Sequence, residues 1–116
     1  MDVDELTIEM NDEETGELVI KQLDKRVLSK GAWSTVMFLY QERDAKTGEF
    51  GEPKVSLRRF QKNQGVFKLR GKFNISGKAQ ADMIVENLNK WYNNEWQTLL
   101  VVKRKNMLSI SFAKET

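Results

Sequence analysis

The sequence predicts an α+β fold in which an antiparallel four-stranded sheet is followed by an amphipathic C-terminal helix (ββββα), with an acidic N-terminal tail and a possible extra C-terminal hairpin. Three observations carry this prediction. Between residues 18 and 75, apolar residues alternate with polar ones or gather in β-branched and aromatic runs, as strands require. Turn compositions separate these runs: Thr15-Gly16, Ser29-Lys30-Gly31, "DAKTGEFGEP" over 44–53 and Asn63-Gln64-Gly65. Beyond residue 76 the apolar spacing changes from that of a strand to that of a helix.

Residues 1–17 contain eight acids and no base, −8, whereas residues 18–116 contain 19 bases and nine acids, 19 − 9 = +10, and the sum is the net +2 of the chain. A like-charged run of this kind reads as a flexible, solvated tail over 1–17 ahead of a single domain over 18–116, or as a segment that shields the basic surface. The first strand then holds Leu18, Val19, Ile20, Leu23, Val27 and Leu28. "WSTVMFLYQER", 33–43, is a central strand, too apolar on both faces to orient from sequence, and Trp33, Phe38 and Tyr40 in it read as core or dimer-packing residues.

The next two runs form a hairpin. In 55–62, Val55 and Leu57 point one way and Ser56, Arg58, Phe60 and Lys62 the other; in 66–75, Phe67, Leu69, Phe73 and Ile75 alternate with Lys68, Arg70 and Lys72. A three-residue loop, Asn63-Gln64-Gly65, would pair Phe60 with Lys68 and Arg58 with Arg70, placing the basic residues on one face with Phe60 and leaving Phe67 and Leu69 in the core. Arg59 falls on the apolar side. After Ser76, a residue suited to an N-cap, Ala81, Ile84, Val85, Leu88, Trp91 and Tyr92 form one helical stripe, and Asn93-Asn94 should end the helix. The remainder, "EWQTLLVVKRKNMLSISFAKET", fits a hairpin or a continued helix over 95–102, and strands are the expectation.

With no cysteine and no histidine, the chain has no disulfide, thiolate zinc site, cysteine nucleophile or histidine-based triad. The acids at 12–14 lie in a segment read as mobile and offer no convergent metal frame, so a non-enzymatic protein without cofactor is expected. The longest apolar run, Val36 to Tyr40, is far shorter than a membrane span, and the acidic start is unlike a signal peptide, which points to an intracellular site such as cytoplasm, nucleus or nucleoid.

Residues 54–78 carry eight Lys or Arg and no acid. A merely solvated face normally mixes both signs, although lysines on a sheet can also serve to discourage edge-to-edge pairing. Phosphates need several cations in a row and unpaired bases need flat aromatic faces, and alternate strand residues stand about 6.6 Å apart, close to one nucleotide of extended strand. Lys54, Arg58, Phe60, Lys62, Lys68, Arg70 and Lys72 therefore make a candidate site for single-stranded DNA or RNA. The alternative is an adaptor whose basic sheet docks an acidic protein. Trp91, Tyr92 and Trp96 read equally as core or as an interface.

"VSLRRF" at 55–60 and "NISGKAQ" at 74–80, within a sheet-then-helix order over about 17–92, resemble the single-stranded-DNA-binding transcriptional coactivators of the Positive Cofactor Four family and the related Whirly proteins. The resemblance implies that Arg58, Phe60 and either Arg70 or Lys72 contact single strands, and the expectation is a protein acting in replication, recombination or transcription. It also implies a homodimer built through C-terminal helices, here through Ile84, Leu88, Trp91 and Tyr92.

Overall fold

The computed structural model describes residues 2–104, and the chain falls into two compact units that divide between Lys78 and Ala79. The first unit is an antiparallel meander in which each strand pairs with the next: β1 (Met10–Asn11), β2 (Leu18–Ser29), β3 (Trp33–Glu42), β4 (Lys54–Asn63) and β5 (Val66–Ile75). The second is helical, with α1 (Lys78–Lys90) running into a π-helical turn (Trp91–Glu95) and residues 96–104 again α-helical. The class is α+β, with five strands in place of the expected four.

The additional strand belongs to the acidic N-terminal segment, which is no solvated tail. Val3, Leu6 and Ile8 are buried in one cluster with Val36, Phe38, Tyr40 and Phe60. Polar groups of β2 fix the segment in place. The Lys25 ammonium donates to the carbonyls of Val3 (2.7 Å) and Leu6 (2.8 Å), and the Gln22 side-chain oxygen accepts from the Ile8 N–H (3.1 Å). The eight acids conceal these apolar residues in any count of charge. The physical reason the segment packs is that β3 offers it a row of carbon to cover.

β3 alternates strictly between faces. Ser34, Val36, Phe38 and Tyr40 are buried under the N-terminal segment, while Thr35, Met37 and Leu39 on the second face are half-buried. The two buried serines are satisfied: Ser34 donates to the Gly31 carbonyl (3.3 Å) and Ser56 to the Asn74 side-chain oxygen (2.7 Å).

One sequence, D-x-x-T-G-E, builds two reversals, at 12–17 and 44–49. In each, the Asp side chain accepts two backbone N–H groups, from Glu14 and Thr15 or from Lys46 and Thr47. In each, the Asp carbonyl accepts the glycine N–H at 2.8 Å, and the glycine takes the positive φ this requires, 74° at Gly16 and 76° at Gly48. Arg43 joins the first reversal to β3 through an ion pair with Glu17 (2.8 Å).

The β4–β5 hairpin corrects the expected register. Asn63 pairs with Val66, so the loop is only Gln64-Gly65, both at positive φ (52° and 78°), as a type I′ turn needs. Phe60 consequently pairs with Leu69, not Lys68. A β-bulge then leaves Arg70 without a partner across the ladder, and beyond it Arg58 pairs with Lys72, not Arg70.

The helix also departs from expectation at its C-terminal end. Asn93-Asn94 does not stop it: the chain passes through these residues as the π-helical turn and stays helical to Arg104, so 95–102 is helix and not strand. No glycine or proline follows to break the hydrogen-bond ladder, and a π turn absorbs the one extra residue. The part of the expected C-terminal hairpin beyond 104 lies outside the described residues.

Candidate nucleic-acid interface

β4 and β5 carry most of the basic residues singled out in the sequence, but the hairpin register divides them between two faces. Arg58, Phe60, Lys62 and Lys72 share the face that Val36 and Phe38 occupy, as does Lys54 through its pairing with Tyr40. Lys68, paired with Gln61, lies on the second face, and Arg70 joins it there by donating from Nε to the Gln61 side-chain oxygen at 3.1 Å. The single basic face expected from uniform alternation is therefore not formed.

On the first face the N-terminal segment limits what is available. Phe60 is only 8% exposed, with Phe67 edge-on to it at 6.5 Å between ring centroids, so its ring is a core residue and not a platform. Lys62 lies over the Phe67 ring (5.4 Å) at the rim of the cluster. Arg58 is half-buried and donates to the Ser56 hydroxyl (3.2 Å), which in turn donates to Asn74. Lys54 is occupied with Glu42 (3.5 Å).

The second face is different. Trp33 and Arg59 meet there, the guanidinium carbon 4.4 Å from the indole centroid, a cation–π contact between a residue expected in the core and one expected at an apolar edge. Trp33 is 41% exposed; Arg59, Lys68 and Arg70 are exposed on the same face, and Phe73 is exposed further along it. Sequence reading missed Trp33 and Arg59. The available signal was phase: Trp33 is out of phase with the buried Ser34, Val36 and Phe38 of its strand, and Arg59 is out of phase with Phe60.

Carboxylate pairing is uneven along the chain: Lys21, Lys25 and Lys46, like most of the hairpin's cations, have no carboxylate partner among the described residues. Arg26 is paired with Asp24, Lys30 with Asp4, Arg43 with Glu17, Lys54 with Glu42 and Lys90 with Glu86. Among the described residues, by contrast, none of Arg58, Arg59, Lys62, Lys68, Arg70 and Lys72 is ion-paired with a carboxylate. Six cations crowded on two strands repel one another, and a polyanion laid along them relieves that repulsion while releasing its own counterions.

In the helical unit, Leu88, Trp91 and Tyr92 line an apolar groove with Trp96, Leu99 and Leu100. Ile84 lies on a second groove with Leu88 and Trp91. Among the described residues no helix is long and apolar enough to cross a membrane.

Comparison of the chain with protein-family models, with curated proteins and with solved structures finds no match.

Proposed function

We propose that the protein binds single-stranded nucleic acid, DNA foremost, as a non-enzymatic homodimer serving replication, recombination or transcription. The observation that carries this reading is the group of six cations on β4 and β5 that, among the described residues, form no ion pair with a carboxylate. These cations, on a sheet that also exposes the rings of Trp33 and Phe73, supply both components that a single strand needs, phosphate neutralisation and base stacking. The resemblance of "VSLRRF" and "NISGKAQ" to the Positive Cofactor Four family points the same way.

The homodimer rests on the helical unit. Met83, Leu88, Trp91, Trp96, Leu99 and Val102 are all exposed there, more contiguous carbon than a lone chain normally presents to water, and a twofold mate would cover it with the same surface.

A fluorescence-anisotropy titration against labelled single-stranded DNA, duplex DNA and RNA over a range of salt tests the binding. Tightest binding to single strands, with log affinity falling linearly against log salt, is the expected result. Binding to an acidic polypeptide in preference to every nucleic acid would establish the adaptor reading in its place.

A further inference from the structure

We infer that the base-stacking site is on the second face of the sheet, centred on Trp33, Arg59 and Gly71, and not on the Phe60 face to which "VSLRRF" draws attention. This rests on the single-strand reading above and says where the strand lies.

Three independent features meet there. The first is the Trp33–Arg59 pair: a guanidinium over an indole forms a flat, cationic stack that a nucleobase can extend, and Trp33 stays 41% exposed despite it. The second is Gly71. It pairs directly across from Arg59, so its missing side chain belongs on this face, and a Cβ there would have no atom within 4 Å. Its φ is not positive, so neither backbone strain nor internal packing requires glycine at this position. The bare patch it leaves beside Arg59 is open to a ligand.

The third feature is the adjacent row. Trp33 pairs with Gln61 and Gln61 with Lys68, and Arg70 is tied to Gln61 by its hydrogen bond. Neighbouring strands are about 4.8 Å apart, so Lys68 stands about 10 Å across the sheet from Trp33, within reach of the phosphates that flank a base stacked on the indole. The bulge at Arg70 makes this arrangement. By consuming one residue it turns Lys68 and Arg70 to the same face as Arg59, whereas Lys72 beyond it returns to the covered face.

The test is anisotropy titration of a labelled oligothymidine with the full-length protein, its W33A, G71L and K46A variants, and thermal melts of each. W33A is expected to weaken binding about 5- to 150-fold with no change in the slope of log affinity against log salt, the signature of a lost stack. G71L, which leaves the indole in place, is expected to weaken binding about tenfold or more by filling the bare patch, without lowering the melting temperature. K46A, in the 44–49 reversal outside the hairpin, should leave affinity within about twofold. Wild-type binding that W33A and G71L both leave unchanged overturns this placement and keeps the single-strand reading. Absence of wild-type binding to any oligonucleotide overturns both. Because G71L does not touch Trp33, a folding defect confined to W33A still leaves a decisive result.

Discussion

Phe60 meets Phe67 edge-on and lies in one cluster with Val36 and Phe38, so removing its ring empties volume that three elements enclose. Phe60→Ala is expected to cost about 3 to 5 kcal/mol in urea or thermal unfolding. Leu69, its cross-strand partner, is 45% exposed, and Leu69→Ala should cost less than about 1 kcal/mol. Equal losses from the two variants would contradict the observed register. Asp12 is a second residue whose role is chemical and local. The Thr15 and then the Glu14 N–H, with Arg43 adding a smaller attraction, hold its carboxyl below the usual value of 3.8. A depressed folded pKa stabilises above the unfolded value and is lost as pH falls through the folded one. The melting-temperature gap between the wild type and Asp12→Asn should therefore be widest well above the usual value of 3.8 and narrow as pH falls below it.

At the scale of elements, the β4–β5 turn and the N-terminal segment are the informative ones. Gln64 adopts φ 52° in a type I′ turn, a conformation that asparagine accepts at lower cost than glutamine. Gln64→Asn should raise stability by about 0.5 to 1 kcal/mol, read as a higher urea midpoint with unchanged slope. The N-terminal segment supplies three buried side chains to the sheet, and Ile8→Ala should cost about 2 to 5 kcal/mol. Deleting the segment consequently tests stability and not electrostatics. The electrostatic question is answered by Asp2, Asp4 and Glu5 changed to their amides, which keeps Val3, Leu6 and Ile8. If the acids compete with a bound strand, these variants bind it more tightly, most of all at low salt. The contact of Asp4 with Lys30 at 4.0 Å is an exposed one and contributes little to folding.

For the whole molecule, the prediction is oligomeric state. Sedimentation equilibrium at micromolar protein should give a species of twice 13.5 kDa, and Leu88→Glu, which sets a charge in the apolar groove, should return it to 13.5 kDa while the sheet keeps its thermal transition. A wild type sedimenting only at 13.5 kDa would refute the homodimer. The same experiment repeated with an oligonucleotide present separates assembly through the helix from assembly on the nucleic acid.

Strand β5 and the start of the helix were legible in the sequence because each depends on its own residues: apolar alternation over Val66–Ile75 and a change of period after Ser76. The central strand Trp33–Glu42 and the turn-forming D-x-x-T-G-E segment at 44–49 were legible for the same reason. The sequence by itself likewise determined that residues 54–78 hold a block of unopposed positive charge. What only the tertiary structure decided is which face that charge is on. Phe67, Leu69, Gly71 and Phe73 alternate without a break, yet the bulge at Arg70 sends the first two to one face and the last two to the other. A bulge adds a residue without disturbing the alternation of the strand that contains it, so the apolar pattern carries no sign of it. The N-terminal segment was illegible for a complementary reason: Val3, Leu6 and Ile8 are too few and too surrounded by acids to signal packing, and they are buried only because β3, some 30 residues away in the chain, presents Val36 and Phe38 to them. That cover closes over Phe60, and the exposed Trp33 and Arg59 remain on the other side.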